Sequence, residues 1–152
     1  MDFFNELLQN KILICAAIGW CVAQVLKTLI HLFFTKKFVA ERLVGSGGMP
    51  SSHSATVCAL ATATFMTYGI GSFEFAISFI FAIIVMHDAM GVRRETGKQA
   101  RVLNELIEVF AAMDSDMSPQ DKLKEFVGHT PLQVIIGGLL GITIAIIICN
   151  VL

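Results

Sequence analysis

Two histidines stand where helices begin. The stretch "GSGGMPSSHSAT", residues 45–56, places His53 directly after Ser51 and Ser52 and a glycine-rich run that includes Gly48. The stretch "GHTPLQ", residues 128–133, places His129 directly before Thr130, Pro131 and Gln133. These are helix-starting patterns: a hydroxyl caps, a proline fits the first turn, and a glutamine at the third position completes a capping box. A helix start carries unpaired N–H groups and the positive end of the helix dipole. Two such starts, each with an imidazole beside it, make an anion site, and phosphate is the anion it suits best.

The elements that must position these residues follow from composition. At 152 residues, 55% hydrophobic and 15% charged, the chain is too apolar for an ordinary water-soluble domain. Four segments, 12–34, 54–71, 73–90 and 132–152, approach the roughly 20 residues a helix needs to cross a bilayer. The expected fold is therefore all-α: one integral membrane bundle over 1–152 with about four transmembrane helices and a cytoplasmic helical segment, 91–130, between spans three and four. The first ten residues carry Asp2 and Glu6 and no base, and no small-residue cleavage site follows, so span one is expected to stay in the mature protein. A net charge of −1 gives no sign of a nucleic-acid partner.

Orientation follows from the bases. Lys36, Lys37 and Arg42 lie between spans one and two, and Arg93, Arg94, Lys98, Arg101, Lys122 and Lys124 between spans three and four. The positive-inside rule makes both loops cytoplasmic, which puts His53 and His129 on one basic face. The expected location is the bacterial inner (plasma) membrane. Within 91–130, Val102, Leu103, Leu106, Phe110 and Met113 predict one amphipathic helix, and Ser118, Pro119 and Gly128 bound a second.

Polar residues inside the spans point toward the same face. Gln24, Lys27 and His31 share one stripe of span one; Lys27 either snorkels to the interface or faces the phosphate. Asp88 either orients a base or histidine, or pairs with Arg93 and Arg94 beside it. Cys15, Cys21, Cys58 and Cys149 fall within spans without metal-binding spacing and read as packing residues. Gly137 and Gly141 have the small-xxx-small spacing of close helix packing. Residues 114–125 mimic a calcium loop, but Pro119 occupies the position where its turn requires glycine, so no metal or other cofactor is expected.

The blocks "GGMPSSHSA" at 47–55, "HDAMGVRRETGKQARVLN" at 87–104 and "GHTPLQVIIGGLLG" at 128–141, with "AQVLK" in span one, resemble the signature blocks of the divergent PAP2 family. This family is an offshoot of the type 2 phosphatidic acid phosphatases. The resemblance implies a phosphohistidine mechanism without a metal, with His129 as nucleophile and His53 as general acid. It also implies that Ser51, Ser52 and the N–H groups around Gly48 cradle the phosphoryl group while Arg93, Arg94 and Lys27 neutralise its charge. The wider superfamily has an arginine six residues before the nucleophile and an aspartate four after it; here those positions hold Leu123 and Gln133. Asp88 and one of the arginines are the candidates to replace them.

The leading expectation is thus a lipid phosphatase acting on a phospholipid monoester or an isoprenoid diphosphate, with a homo-oligomer allowed. Loss of the arginine and aspartate gives a second reading, a phospholipid-binding membrane protein without turnover. The Gln24, Lys27 and His31 stripe gives a third, a small transporter or proton relay, which four spans without an inverted repeat disfavour.

Overall fold

A computed structural model of the chain describes residues 3–43, 45, 47–113, 123 and 128–151. Among these the long elements are all helices: α1 (Phe3–Gln9), α2 (Lys11–Thr35), α3 (Ser52–Tyr68), α4 (Phe73–Met90), α5 (Val92–Met113) and α6 (Pro131–Val151). A short 3-10 turn, Ala40–Leu43, follows α2. The expected second cytoplasmic helix and the rejected calcium loop fall largely outside the described residues.

Three stretches are long and apolar enough to cross a membrane: Lys11–Thr35, Phe73–Val109, which contains α4, and Pro131–Val151. Helix α3 has 17 residues and so extends about 26 Å, close to the ~30 Å of a hydrocarbon core. The expected span 54–71 thus starts earlier and stops earlier, because Gly69 takes φ 84° and ends the helix with its N–H on the Phe65 carbonyl. Helix α1 was not expected. It is separated from α2 by Asn10, whose side chain caps α2 by accepting from the Leu13 N–H.

Helix α3 is the centre of the bundle, packed by α2, α4 and α6. It can be central because its inward face is small: Ala59 and Ala63 cluster with Cys15 of α2 and Ala145 of α6. On its other side Val57 and Ala61 meet Ala82 of α4. In lipid, where apolar side chains gain little by leaving the tails, such small residues bind helices by close backbone approach. Gly137 and Gly141 do this on α6, running parallel to the start of α3: a Cβ on Gly137 would collide with the Ser51 carbonyl, and one on Gly141 with the Ala55 carbonyl. Cys15 and Cys58 are buried and Cys149 is partly so, as expected of packing residues, whereas Cys21 is exposed.

Gly141→Val should therefore lower the stability of the purified protein by about 1–3 kcal/mol or prevent assembly, since the obstacle is backbone. Gly71→Ala, with nothing within 4 Å of the added methyl, should leave the melting temperature in detergent unchanged.

The topology gathers four chain ends at one face: the C-termini of α2 and α4 and the N-termini of α3 and α6. Two backbone bonds tie them together. The Ser51 N–H donates to the Gln133 carbonyl at 3.1 Å, and the His129 N–H donates to the Ala89 carbonyl at 3.0 Å. Both histidine segments are thereby fixed to the bundle rather than left on free loops.

Candidate active site

Each histidine is set by the helix start beside it. Ser51 caps α3, its hydroxyl accepting from the Ser54 N–H at 3.3 Å and from the Ser54 hydroxyl at 3.0 Å. His53 is then held in the first turn of α3, with its Nδ1 buried and without a hydrogen-bond partner among the described residues. At α6, Gln133 accepts from the Thr130 N–H at 3.0 Å and Thr130 accepts from the Gln133 N–H at 3.4 Å, which is the reciprocal capping box expected. The two starts bring the imidazoles of His53 and His129 to 6.0 Å between ring centroids.

Gln133 does a second job. Its Oε1 lies 3.3 Å from His129 Nδ1. Because that oxygen already accepts from a backbone N–H, it can only accept from the ring as well, so the proton of neutral His129 belongs on Nδ1 and the lone pair on Nε2. His129 itself is only 2% exposed. Burial holds its pKa below the ordinary imidazole range, against the pull of the Gln133 amide and the Gly48 backbone, and the charges of His53 and Lys27 add to the lowering. The neutral, nucleophilic form therefore persists to more acidic pH than in a free histidine.

Gly128 makes the approach to His129 possible. It takes φ 95°, and any Cβ there would strike the backbone at Arg93 and Arg94. The preceding chain is clamped at Leu123, whose backbone N–H and carbonyl both bond the side chain of buried Asn104 on α5, each at 2.9 Å. The Leu123 side chain is exposed, and the position serves through its backbone. Asn104→Leu removes both bonds, worth about 1 kcal/mol each. It should lower the melting temperature of the purified protein in detergent by a few degrees.

Among the expected site residues, Lys27 is buried at 2% exposure and donates to the Gly45 carbonyl at 2.7 Å. It therefore does not snorkel; it fastens the glycine-rich loop and brings a positive charge to both histidines. Arg93 donates through Nε to Asp88 Oδ2 at 2.7 Å, a half-exposed pair whose two charges also reach His53. The side chain found on the His129 ring is that of Gln133, while Asp88 is engaged by Arg93.

A cavity of about 310 Å³ opens beside His129. Gly47 and Gly48 form one wall, both with φ near 90°, a conformation that leaves backbone instead of side chains facing the space. Arg94 also lines it, and so do Gly97, Lys98 and Arg101 of α5, of which sequence reasoning uses Lys98 and Arg101 only to set orientation. Their signal was present, since positions 94, 98 and 101 follow a helical i, i+4, i+7 pattern. Ser51 and Ser52 are buried under the loop and are not among the residues that line this cavity. His53 is not among the cavity's lining residues; its ring lies 6.0 Å from that of His129, and the Arg93 and Lys27 charges reach it.

Residues 8–144 match the divergent PAP2 family. The chain is also 41% identical to the uncharacterized membrane protein YuiD of Bacillus subtilis (strain 168), over 94% of this chain and 96% of that protein. No solved structure matches it.

Proposed function

The chain belongs to the divergent PAP2 family of membrane proteins, and from that premise we propose that it is a lipid phosphatase working through a phosphohistidine. The observation that carries this reading is the pair of helix-start imidazoles 6.0 Å apart, one of them with its Nδ1 held on the Gln133 amide oxygen. The substrate is a lipid phosphomonoester, phosphatidate-like or phosphatidylglycerophosphate-like, or a polyprenyl diphosphate. Its tails lie in the bilayer and its phosphate sits at the basic face, on the cytoplasmic side of the bacterial plasma membrane.

His129 Nε2 attacks phosphorus, the bond from phosphorus to the leaving oxygen breaks, and His53 delivers a proton to that oxygen. Water then attacks the phosphohistidine, His53 takes its proton, and the P–N bond breaks to release phosphate. Backbone N–H groups around Gly48, with Arg93, Arg94 and the buried charge of Lys27, stabilise the negative charge that develops on the phosphoryl oxygens. Asp88 holds Arg93 in place for this task. Ser51 fixes the start of α3 through its bonds from the Ser54 N–H and hydroxyl.

A second reading rests on Gln133. An amide fixes the His129 tautomer but cannot stabilise an imidazolium by charge as a carboxylate does, which favours a lipid-phosphate binding protein without turnover. The deciding experiment is phosphate release from a panel of lipid phosphates by the purified protein in detergent with EDTA present. Release that survives chelation and disappears in His129→Ala supports the phosphatase. Lipid binding without release by the parent protein selects the binding protein.

A further inference from the structure

The cavity beside His129 is larger and more cationic than one phosphoryl group requires. Its ~310 Å³ corresponds to about ten water volumes. Its α5 wall presents Arg94, Lys98 and Arg101 on one helical face, extending about 10 Å along the axis between the first and last. Gly97 sits among them with no side chain to fill the space. Gly47 and Gly48, which also line it, are equally bare.

The two cationic groups around His129 are also distinct. The charges of Lys27 and Arg93 reach His53, the proposed proton donor, while Lys98 and Arg101 line the cavity beside His129. Lys98 is paired with Glu95 of its own helix at 2.6 Å, but both side chains are 58% exposed, so an incoming anion can compete for it at little cost. Helix α5 is strongly amphipathic, and Val102, Leu103 and Leu106, which lie off the cationic face, remain about half exposed. Such a helix suits the head-group layer, where anionic lipid groups reside.

We propose that Lys98 and Arg101 form a second anion subsite, continuous along α5 with Arg94 at the scissile phosphate, and that the substrate is a lipid whose head group carries a second phosphate in addition to the one removed. This rests on the phosphatase reading for the first phosphate but not for its own test. Two lipid classes share the chemistry: a glycerophosphate head group, with a phosphodiester near the membrane and a terminal monoester, and a lipid diphosphate. Both place a persistent anion one short link from the scissile group, where the Arg101 guanidinium can bind phosphate oxygens in bidentate fashion and Lys98 adds a point charge.

The test compares phosphatidylglycerophosphate with phosphatidate, and a polyprenyl diphosphate with its monophosphate, for the parent protein and for the Lys98→Gln, Arg101→Gln double variant in mixed micelles. The parent should favour one two-phosphate lipid over its matched monophosphate by about tenfold or more in kcat/KM. The double variant should lose that preference, chiefly through KM, while monophosphate turnover changes by less than about twofold. The pair that shows the preference identifies the lipid class. Equal handling of both members of each pair by the parent, or equal losses on both in the variant, overturns the subsite.

Equilibrium binding of the same four lipids to parent and variant is read in parallel. If no lipid is hydrolysed, the phosphatase reading fails. The subsite then stands on tighter binding of a two-phosphate lipid that the double variant loses, and falls if the matched lipids bind alike.

Discussion

Replacing His129 with alanine should reduce phosphate release by roughly 10⁴-fold or more, the scale at which loss of a nucleophile is felt when the rest of the site remains. The size of the effect follows from the division of labour at this ring. Its Nδ1 is committed to Gln133, the backbone N–H of His129 is fixed to the Ala89 carbonyl, and burial favours the neutral ring, so Nε2 is the group prepared to attack. Rapid acid-free quenching with a labelled lipid phosphate should trap label on the parent protein in an acid-labile, base-stable form, as a phosphoramidate is, and none on the variant. Gln133→Leu should be milder, about 10–100-fold, because it removes the tautomer lock and one cap but leaves the imidazole. A His129→Ala protein that keeps most of its turnover would remove the phosphohistidine from the proposal.

What the sequence made legible and what it did not divide by range. The capping box of Thr130 and Gln133 and the Ser51 cap are local, set by hydrogen bonds over three residues, and their grammar can be read directly from the letters. The small-xxx-small pair Gly137 and Gly141 was equally legible as a packing face, although the partner it meets, α3 at Ser51 and Ala55, was not. Lys27 was ambiguous because a lysine near a helix end has two stable outcomes in lipid. Only the placement of the Gly45 carbonyl within reach decides that it turns inward.

Asn104 was invisible for a different reason. A mid-helix asparagine has no local signature, and its role depends on the backbone of Leu123, nineteen residues on. Lys98 and Arg101 were read only for their charge and its side of the membrane. Their shared helical face with Arg94 becomes a wall once the glycine-rich loop is seen to line the same cavity. Leu123, which looked like a lost arginine, turns out to matter through its main chain.

His53→Ala should cost about 10²–10⁴-fold in kcat for an alkyl lipid phosphate, the range for removal of a general acid. The loss should depend on the leaving group. An alkoxide leaves poorly without a proton, whereas an aryl phosphate that expels a stable phenolate needs little help. The same variant should therefore hydrolyse a nitrophenyl-type ester of matched size within about tenfold of the parent. That split distinguishes proton donation from a merely structural role, because a collapsed α3 start would impair both substrates alike.

The pH profile carries the same division. Activity requires His129 neutral and His53 protonated, so the parent profile is bell-shaped. A folded pKa that burial has lowered means His129 loses its proton earlier as pH rises, so the acidic limb of the profile should fall below the ordinary imidazole value of about 6.5. In His53→Ala the acidic limb should remain and the alkaline limb should vanish, since the group whose deprotonation ended activity is gone. An alkaline limb that survives in the variant would assign proton donation to a group other than His53.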